Sequence, residues 1–288
     1  MSFCALWQVS DLLKPTETRN GKRPALDFFA QVPVFTHEEF VSAHGGKGRS
    51  AHTANNVLAY HVAVGHLVRV RRGLYASVPR GVDPEAAAVD PYLMATKLAA
   101  DAVVAYHAAL QFHGKAYSVS NRFTYLTRHR ARPLRFRGAE FVPVQLPAAQ
   151  RALPDAGGSI VEHRHAGGTA RVTTLERTLV DVLDALEHGG GWEEIWRSLE
   201  SVEFFDLDAV VAYALELGSA LTVARVGFFL EQHREPLIVE ERHLEALRAR
   251  APGQPRYLDQ RRESGKLVSR WNLVVPERVL LRAWAEVS

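Results

Sequence analysis

The sequence predicts an α+β protein, on three observations. Residues 24–80 read as short helices followed by a basic β-hairpin. Residues 90–288 mix helical periodicity with a few stretches rich in β-branched and aromatic residues, the pattern of a small sheet among many helices. Between them Gly81-Val82-Asp83-Pro84-Glu85 has the composition of a linker. The chain has 288 residues, enough for two ordinary domains.

The first residues, 1–23, form an N-terminal extension. Phe3, Leu6, Trp7, Val9, Leu12 and Leu13 have helical spacing and Lys14 to Gly21 reads as a loop, so a short docking helix and a connector are expected. Ala25 to Gln31 is the next helix. Thr36 and Glu39 then stand at capping-box spacing, with Phe35 and Phe40 at the staple positions, so a second helix should start at Thr36. Gly45-Gly46 should end it, because glycine accepts the left-handed C-cap. Ser50 is a good N-cap for a third helix running to about Val64, with Gly65 after it.

The third helix has two distinct faces. Ala54, Val57, Leu58, His61 and Val62 form a packing stripe. Arg49, His52, Thr53, Asn56 and Tyr60 fall opposite, with Ser50 at the tip. These are side chains that hydrogen-bond base edges, and Asn56 can pair bidentately with adenine. Arg49 sits where a helix N-terminus meets phosphate. A polar surface with no ligand is the bland alternative for any one of them. Next, Leu67/Val68/Val70 and Leu74/Tyr75/Ala76/Val78 read as two β-segments joined by a turn at Arg71-Arg72-Gly73. Arg69, Arg71 and Arg72 suit phosphates or a minor groove. The order helix, helix, polar-faced helix, basic hairpin is that of a winged helix-turn-helix, with double-stranded DNA as the expected partner. Charge agrees: residues 1–80 hold ten Lys/Arg against five Asp/Glu, a net of +5, and the remainder 25 against 27, a net of −2. Phosphate neutralisation supplies most non-specific affinity for DNA.

In the second domain, Asp90-Pro91 reads as an N-cap with proline in the first turn. Helical patterns cover about 91–100 and 103–113, the latter closed by Gly114, and residues 122–146 read as β-structure. Thr173 and Glu176 form a second capping-box pair, opening a helix with Leu175, Leu179, Val182, Leu183 and Leu186 inward. Gly189-Gly190-Gly191 ends it. Helices at about 192–200, 207–217 and 220–233 follow, then a basic segment, a strand at Trp271 to Val275 and a last helix opened by Pro276.

One surface signal stands out. Lys115, Arg122, Arg128, Arg130, Arg132, Arg135 and Arg137 occur without an intervening acid and alternate with Tyr117, Phe123, Tyr125 and Phe136. Such interleaving suits a second nucleic-acid surface; a hairpin with one solvated basic face fits equally. Residues 181–217 are the opposite, with ten acids and one arginine.

Catalytic signals are weak. Gly157-Gly158-Ser159 resembles the opening of a nucleotidyltransferase motif, but that chemistry needs two metal-holding carboxylates on a following strand, and the next Asp is Asp181 in a helical pattern. Asp206 and Asp208 stand at a helix start, where Asp is a favoured cap. His163 and His165 share a strand face without a third ligand nearby, so no metal is expected; His107 and His113, on an otherwise apolar helical pattern, read as packed or interfacial. Arg177 and Asp181 have the i,i+4 spacing of a structural ion pair. No Walker A loop, dinucleotide-binding glycine fingerprint or nucleophile elbow occurs, so the sequence predicts neither a cofactor nor a catalytic centre. With Cys4 as the only cysteine, an intramolecular disulfide and a cysteine-rich zinc site are excluded. No apolar run reaches membrane-spanning length, and a cytoplasmic, nucleoid-associated protein is expected.

Gly65-His66-Leu67-Val68-Arg69-Val70-Arg71-Arg72-Gly73-Leu74-Tyr75 resembles the wing of AbiEi-type antitoxins from abortive-infection (type IV toxin–antitoxin) operons. Asp101 to Leu110, Val172 to Asp181 and Gly227 to Glu231 are similar to further blocks of that family, in the same order, and the likeness spans about residues 24–280. The extension at 1–23 departs from the pattern. The resemblance implies a repressor that binds promoter repeats of its own operon through residues 24–80. It also implies a C-terminal domain, 90–288, that counters a nucleotidyltransferase toxin without a stable complex. Two other readings stand beside it: a transcription factor whose C-terminal domain senses a ligand or partner, and a nucleic-acid-processing enzyme.

Overall fold

The computed structural model describes residues 23–44, 51–146 and 158–282. The expected docking helix of the extension, the Gly45-Gly46 stop and the Ser50 cap lie outside them. The chain divides into two compact units, Met1–Ala88 and Val89–Ser288.

In the first unit the chain forms α1 (Arg23–Gln31), β1 (Val34–Thr36), α2 (His37–His44), α3 (Ala51–Ala63), β2 (Leu67–Arg71) and β3 (Leu74–Ser77). The strands make one antiparallel sheet in the order β1-β3-β2. The helices follow the expected spacing, but β1 is an addition to it. Three residues of sequence carry too little alternation to be read alone; Val34-Phe35-Thr36 becomes a strand because β3 offers it an edge, with Phe35 level with Tyr75. The core is aromatic. Phe29 stacks on Phe35 at 5.6 Å and on Phe40 at 5.7 Å, and Leu58 and Leu67 close the cluster.

The second unit is built on a six-stranded mixed sheet of order β6-β7-β5-β4-β9-β8. Its strands are β4 (Val103–Val104), β5 (Arg122–Thr127), β6 (Leu134–Phe136), β7 (Ala139–Gln145), β8 (Ile160–His165) and β9 (Gly168–Thr173). Its helices are α4 (Pro91–Thr96), α5 (His107–Phe112), α6 (Leu175–Asp184), α7 (Trp192–Glu200), α8 (Leu207–Glu216), α9 (Ala220–Gln232) and α10 (Glu241–Arg248). A smaller sheet, β10 (Arg256–Tyr257), β12 (Leu273–Val275) and β11 (Lys266–Val268), has β12 in the middle; α11 (Glu277–Leu280) follows. The α+β class predicted by the sequence therefore holds.

The Asp90 cap is present: its Oδ1 accepts from the Leu93 N–H at 2.8 Å. Two expectations are corrected. Residues 103–113 are not one helix. Val103-Val104 is a buried strand between β5 and β9, and Tyr106, with φ of 59°, turns the chain into α5. A short apolar run fits a buried strand as well as a helix, and two flanking strands decide it. The second N-cap is Thr174 rather than Thr173: Thr174 Oγ1 accepts from the Arg177 N–H at 3.3 Å. Thr173 completes β9 and shares a hydroxyl hydrogen bond with Thr178 at 2.7 Å. In addition, Glu241–Arg248 forms a helix to which the sequence reading assigns no element.

The helical half closes around Trp196, Phe229 and Trp271, all fully buried. Gly227 is needed there for space. A Cβ at that position would run into the Trp271 ring, whose Nε1 donates to Glu231 at 2.6 Å.

Candidate nucleic-acid interface

The first unit brings α3 and the hairpin together through local chemistry. Thr36 and Glu39 cap α2 reciprocally: Glu39 accepts from the Thr36 N–H at 2.8 Å, and Thr36 Oγ1 accepts from the Glu39 N–H at 3.2 Å. The first amide of α2, on His37, donates to the Gly73 carbonyl at 2.9 Å, so the hairpin turn is tied to that helix start. At the far end of α3, His61 is buried and its Nδ1 lies 3.0 Å from His66 Nδ1, a single N–H shared between two rings. The His66 amide also donates to the His61 carbonyl at 2.9 Å. The end of α3 and the start of β2 are thus held by two bonds within six residues of chain.

Packing orients α3. Leu58 and His61 are buried; Thr53, Asn56 and Tyr60 are exposed on the opposite side, as the spacing predicts, with Asn55 exposed beside them. Arg49 and Ser50 lie outside the described residues, as does the His52 side chain. In the hairpin, Arg69, Arg71 and Arg72 are all exposed. The turn is shorter than expected: Arg71 pairs with Leu74 as a strand residue, and Arg72-Gly73 alone makes the reversal, with Gly73 at φ of 80°. The register shifts between Arg69 and Arg71, so the strand irregularity sits among the arginines. Arg69 and Arg72 have no carboxylate partner among the described residues.

In the basic stretch of the second unit, Phe123 and Tyr125 do not share an exposed surface with the arginines. Phe123 and Tyr125 are buried in β5 and Tyr117 is engaged by Arg197, whose Nη1 donates to its hydroxyl at 3.0 Å. Alternation along β5 explains the difference only in part. This strand is covered on both faces, so its aromatics are core whichever way they point. Lys115 donates to the Ser201 carbonyl at 3.0 Å. Arg122, Glu140 and Arg135 stand level across β5, β7 and β6, and Arg135 pairs with Glu140 at 3.2 Å. Arg137 lies 5.1 Å from the Phe136 ring, while Arg130 and Arg132 are exposed and Arg128 is half-buried.

The groups weighed for catalysis are bound into structure. Arg177 and Asp181 pair at 3.2 Å, both buried, and the Tyr213 hydroxyl donates to Asp181 at 2.7 Å. Asp206 caps α8 and Asp208 pairs with Arg242. His107 meets Glu194 at 2.9 Å, His113 meets the Thr173 carbonyl at 2.8 Å and His165 meets Asp90 at 2.8 Å. Burial pushes the His113 imidazole below its ordinary pKa. Among the described residues no group of three or more His, Cys, Asp or Glu is placed to hold a metal ion, and no helix is long and apolar enough to cross a membrane.

No protein-family model and no curated protein matches the chain. Among solved structures it is similar to the RV2827C protein from Mycobacterium tuberculosis, at 18% identity and a TM-score of 0.55, over 92% of this chain and 94% of that one. At that identity the likeness concerns the fold.

Proposed function

We propose that residues 24–80 act as a winged helix-turn-helix that binds double-stranded DNA, and that the protein represses its own operon as an antitoxin of AbiEi type. The observation that carries this reading is the exposed arginine set on the β2–β3 hairpin, anchored by the His61–His66 contact beside the polar face of α3. Cations on a hairpin tip supply sequence-independent affinity through phosphates. Asn56 and its neighbours Thr53 and Tyr60 supply base choice in the major groove. The antitoxin role rests on the resemblance of the blocks at 101–110, 172–181 and 227–231. In its support, two of these blocks meet in the sheet, where Val104 pairs with Val172. The C-terminal unit would oppose a nucleotidyltransferase toxin without forming a lasting complex.

Gel-shift titration with the region upstream of its own gene tests the first part. The protein should shift that duplex in preference to an unrelated one, and Asn56→Ala should erase the preference while leaving residual affinity. Equal shifts of both duplexes by the wild type would remove the operator reading. Co-expression with the adjacent gene tests the second part: growth arrest by that gene, relieved by this protein, is expected, and an adjacent gene without toxicity would contradict it.

A further inference from the structure

Between Arg248 and Arg270 the sequence holds seven basic residues against two acids, Asp259 and Glu263. The small sheet β10-β12-β11 is made from the end of this stretch and the strand after it. One face is core: Leu258, Leu273 and Val275 are buried, and Val268 packs against them. The two-residue period of a strand puts the alternate residues on the other face. Tyr257 and Leu267 are both level with Val274, so the three make one row across the sheet. Tyr257 is 44% exposed and Leu267 49%.

The charges around this row are unevenly satisfied. Glu263 pairs with Arg278 at 2.8 Å. Asp259 accepts from Trp192 Nε1 at 3.2 Å and from the Arg261 amide at 3.0 Å. Lys266 pairs with Glu277 and Arg270 with Glu231. Arg256, Arg261 and Arg262 are exposed and have no carboxylate partner among the described residues. Arg261 and Arg262 ride on the connection from β10 to β11. Gly265 brings that connection back against β12, where a Cβ would run into the Val275 carbonyl.

An exposed tyrosine ring in a row with two aliphatic side chains on a sheet face, with unpaired guanidinium groups on the adjoining connection, meets the needs of a single strand of nucleic acid. Unpaired bases stack on such a row and the backbone needs cations. Duplex DNA keeps its base faces stacked and has no use for it. An apolar protein partner would have to desolvate two arginines. We propose that this face binds single-stranded nucleic acid, with Tyr257 stacking on a base and Arg261 and Arg262 holding phosphates. The surface is distinct from the duplex interface proposed for residues 24–80 and does not depend on it.

Fluorescence anisotropy with labelled oligouridylate and oligodeoxythymidylate tests this, using the full chain with Arg69→Ala/Arg71→Ala/Arg72→Ala so that the hairpin does not contribute. Binding of both strands is expected, and stronger binding of the ribose form would identify RNA as the ligand. Tyr257→Ala should weaken binding at least about fivefold, and Tyr257→Phe should bind like the parent, because the ring and not the hydroxyl stacks. Arg261→Ala/Arg262→Ala should weaken binding and flatten its salt dependence. That pair keeps the test decisive if Tyr257→Ala folds poorly. Absence of oligonucleotide binding, an unchanged affinity in both sets of variants, or equal competition by duplex would overturn the proposal.

Discussion

In the N-terminal unit Arg69 and Arg72 stand exposed on a hairpin with no carboxylate partner among the described residues, while in the C-terminal unit Arg177 and Arg225 are buried and hydrogen-bonded within the fold. Arg177 pairs with Asp181. Arg225 donates to the carbonyls of Leu258, Leu183 and Asp184 at 2.8, 2.9 and 2.8 Å. The same residue type thus does two different jobs. A buried guanidinium that satisfies its donors internally joins parts of the fold, here the end of α6 to the strand β10. An exposed one without a partner costs little to keep solvated and is available to an external anion. Net charge alone does not separate these cases, because both contribute equally to the sum; burial and pairing do.

The comparison can be broken most severely in the C-terminal unit. Asp181→Ala leaves Arg177 buried without its partner and should destabilise by about 3–5 kcal/mol, read as a lower denaturation midpoint. A midpoint within error of the wild type would show that the pair is dispensable. Gly227→Ala comes next. Its methyl meets the Trp271 ring, and overpacking of this kind costs about 1–3 kcal/mol. In the N-terminal unit, Thr36→Ala removes one half of the α2 cap for about 1 kcal/mol; calorimetry that found no change would mean the helix start is held by the sheet instead.

The smallest effect is pH-dependent. Burial alone would raise the Glu194 pKa, but hydrogen bonds from Ser118 and from His107 outweigh it and hold the carboxyl below its ordinary value. A depressed carboxyl contributes stability that is present above its unfolded pKa, about 4.3, and is lost as pH falls through the folded value. Wild type should therefore exceed Glu194→Gln in melting temperature near neutrality and converge with it in acid. A difference that stays constant with pH would contradict this.

Much of the first unit is legible in the sequence because its signals are local. Thr36, Glu39, Phe35 and Phe40 occupy fixed offsets from one helix start, and Gly73 marks the hairpin turn. What cannot be read there is β1, which exists only because β3 lies beside it. The second unit is less legible for the same reason. Val103-Val104 acquires its identity from β5 and β9, partners far along the chain. Phe123 and Tyr125 look available because alternation says which residues share a face but not whether both faces are covered. Tyr257 escapes notice for the converse reason: a two-residue strand carries no periodicity, and only the register with Val274 shows it lying in an exposed row. Arg177 and Asp181, by contrast, are readable as a structural pair, since i,i+4 spacing on one helix fixes the contact.

The central claim is that Arg69 and Arg72 on the hairpin serve duplex DNA and not the fold. Its most direct test is the salt dependence of duplex binding for the wild type and for Arg69→Ala/Arg72→Ala, with thermal melts of both. The account predicts weaker binding and a log–log salt slope shallower by about 0.9 for each phosphate that the variant no longer neutralises, at a melting temperature that stays within the shift expected of about 0.5 kcal/mol. An unchanged slope and affinity, or a variant that loses its fold, would contradict it.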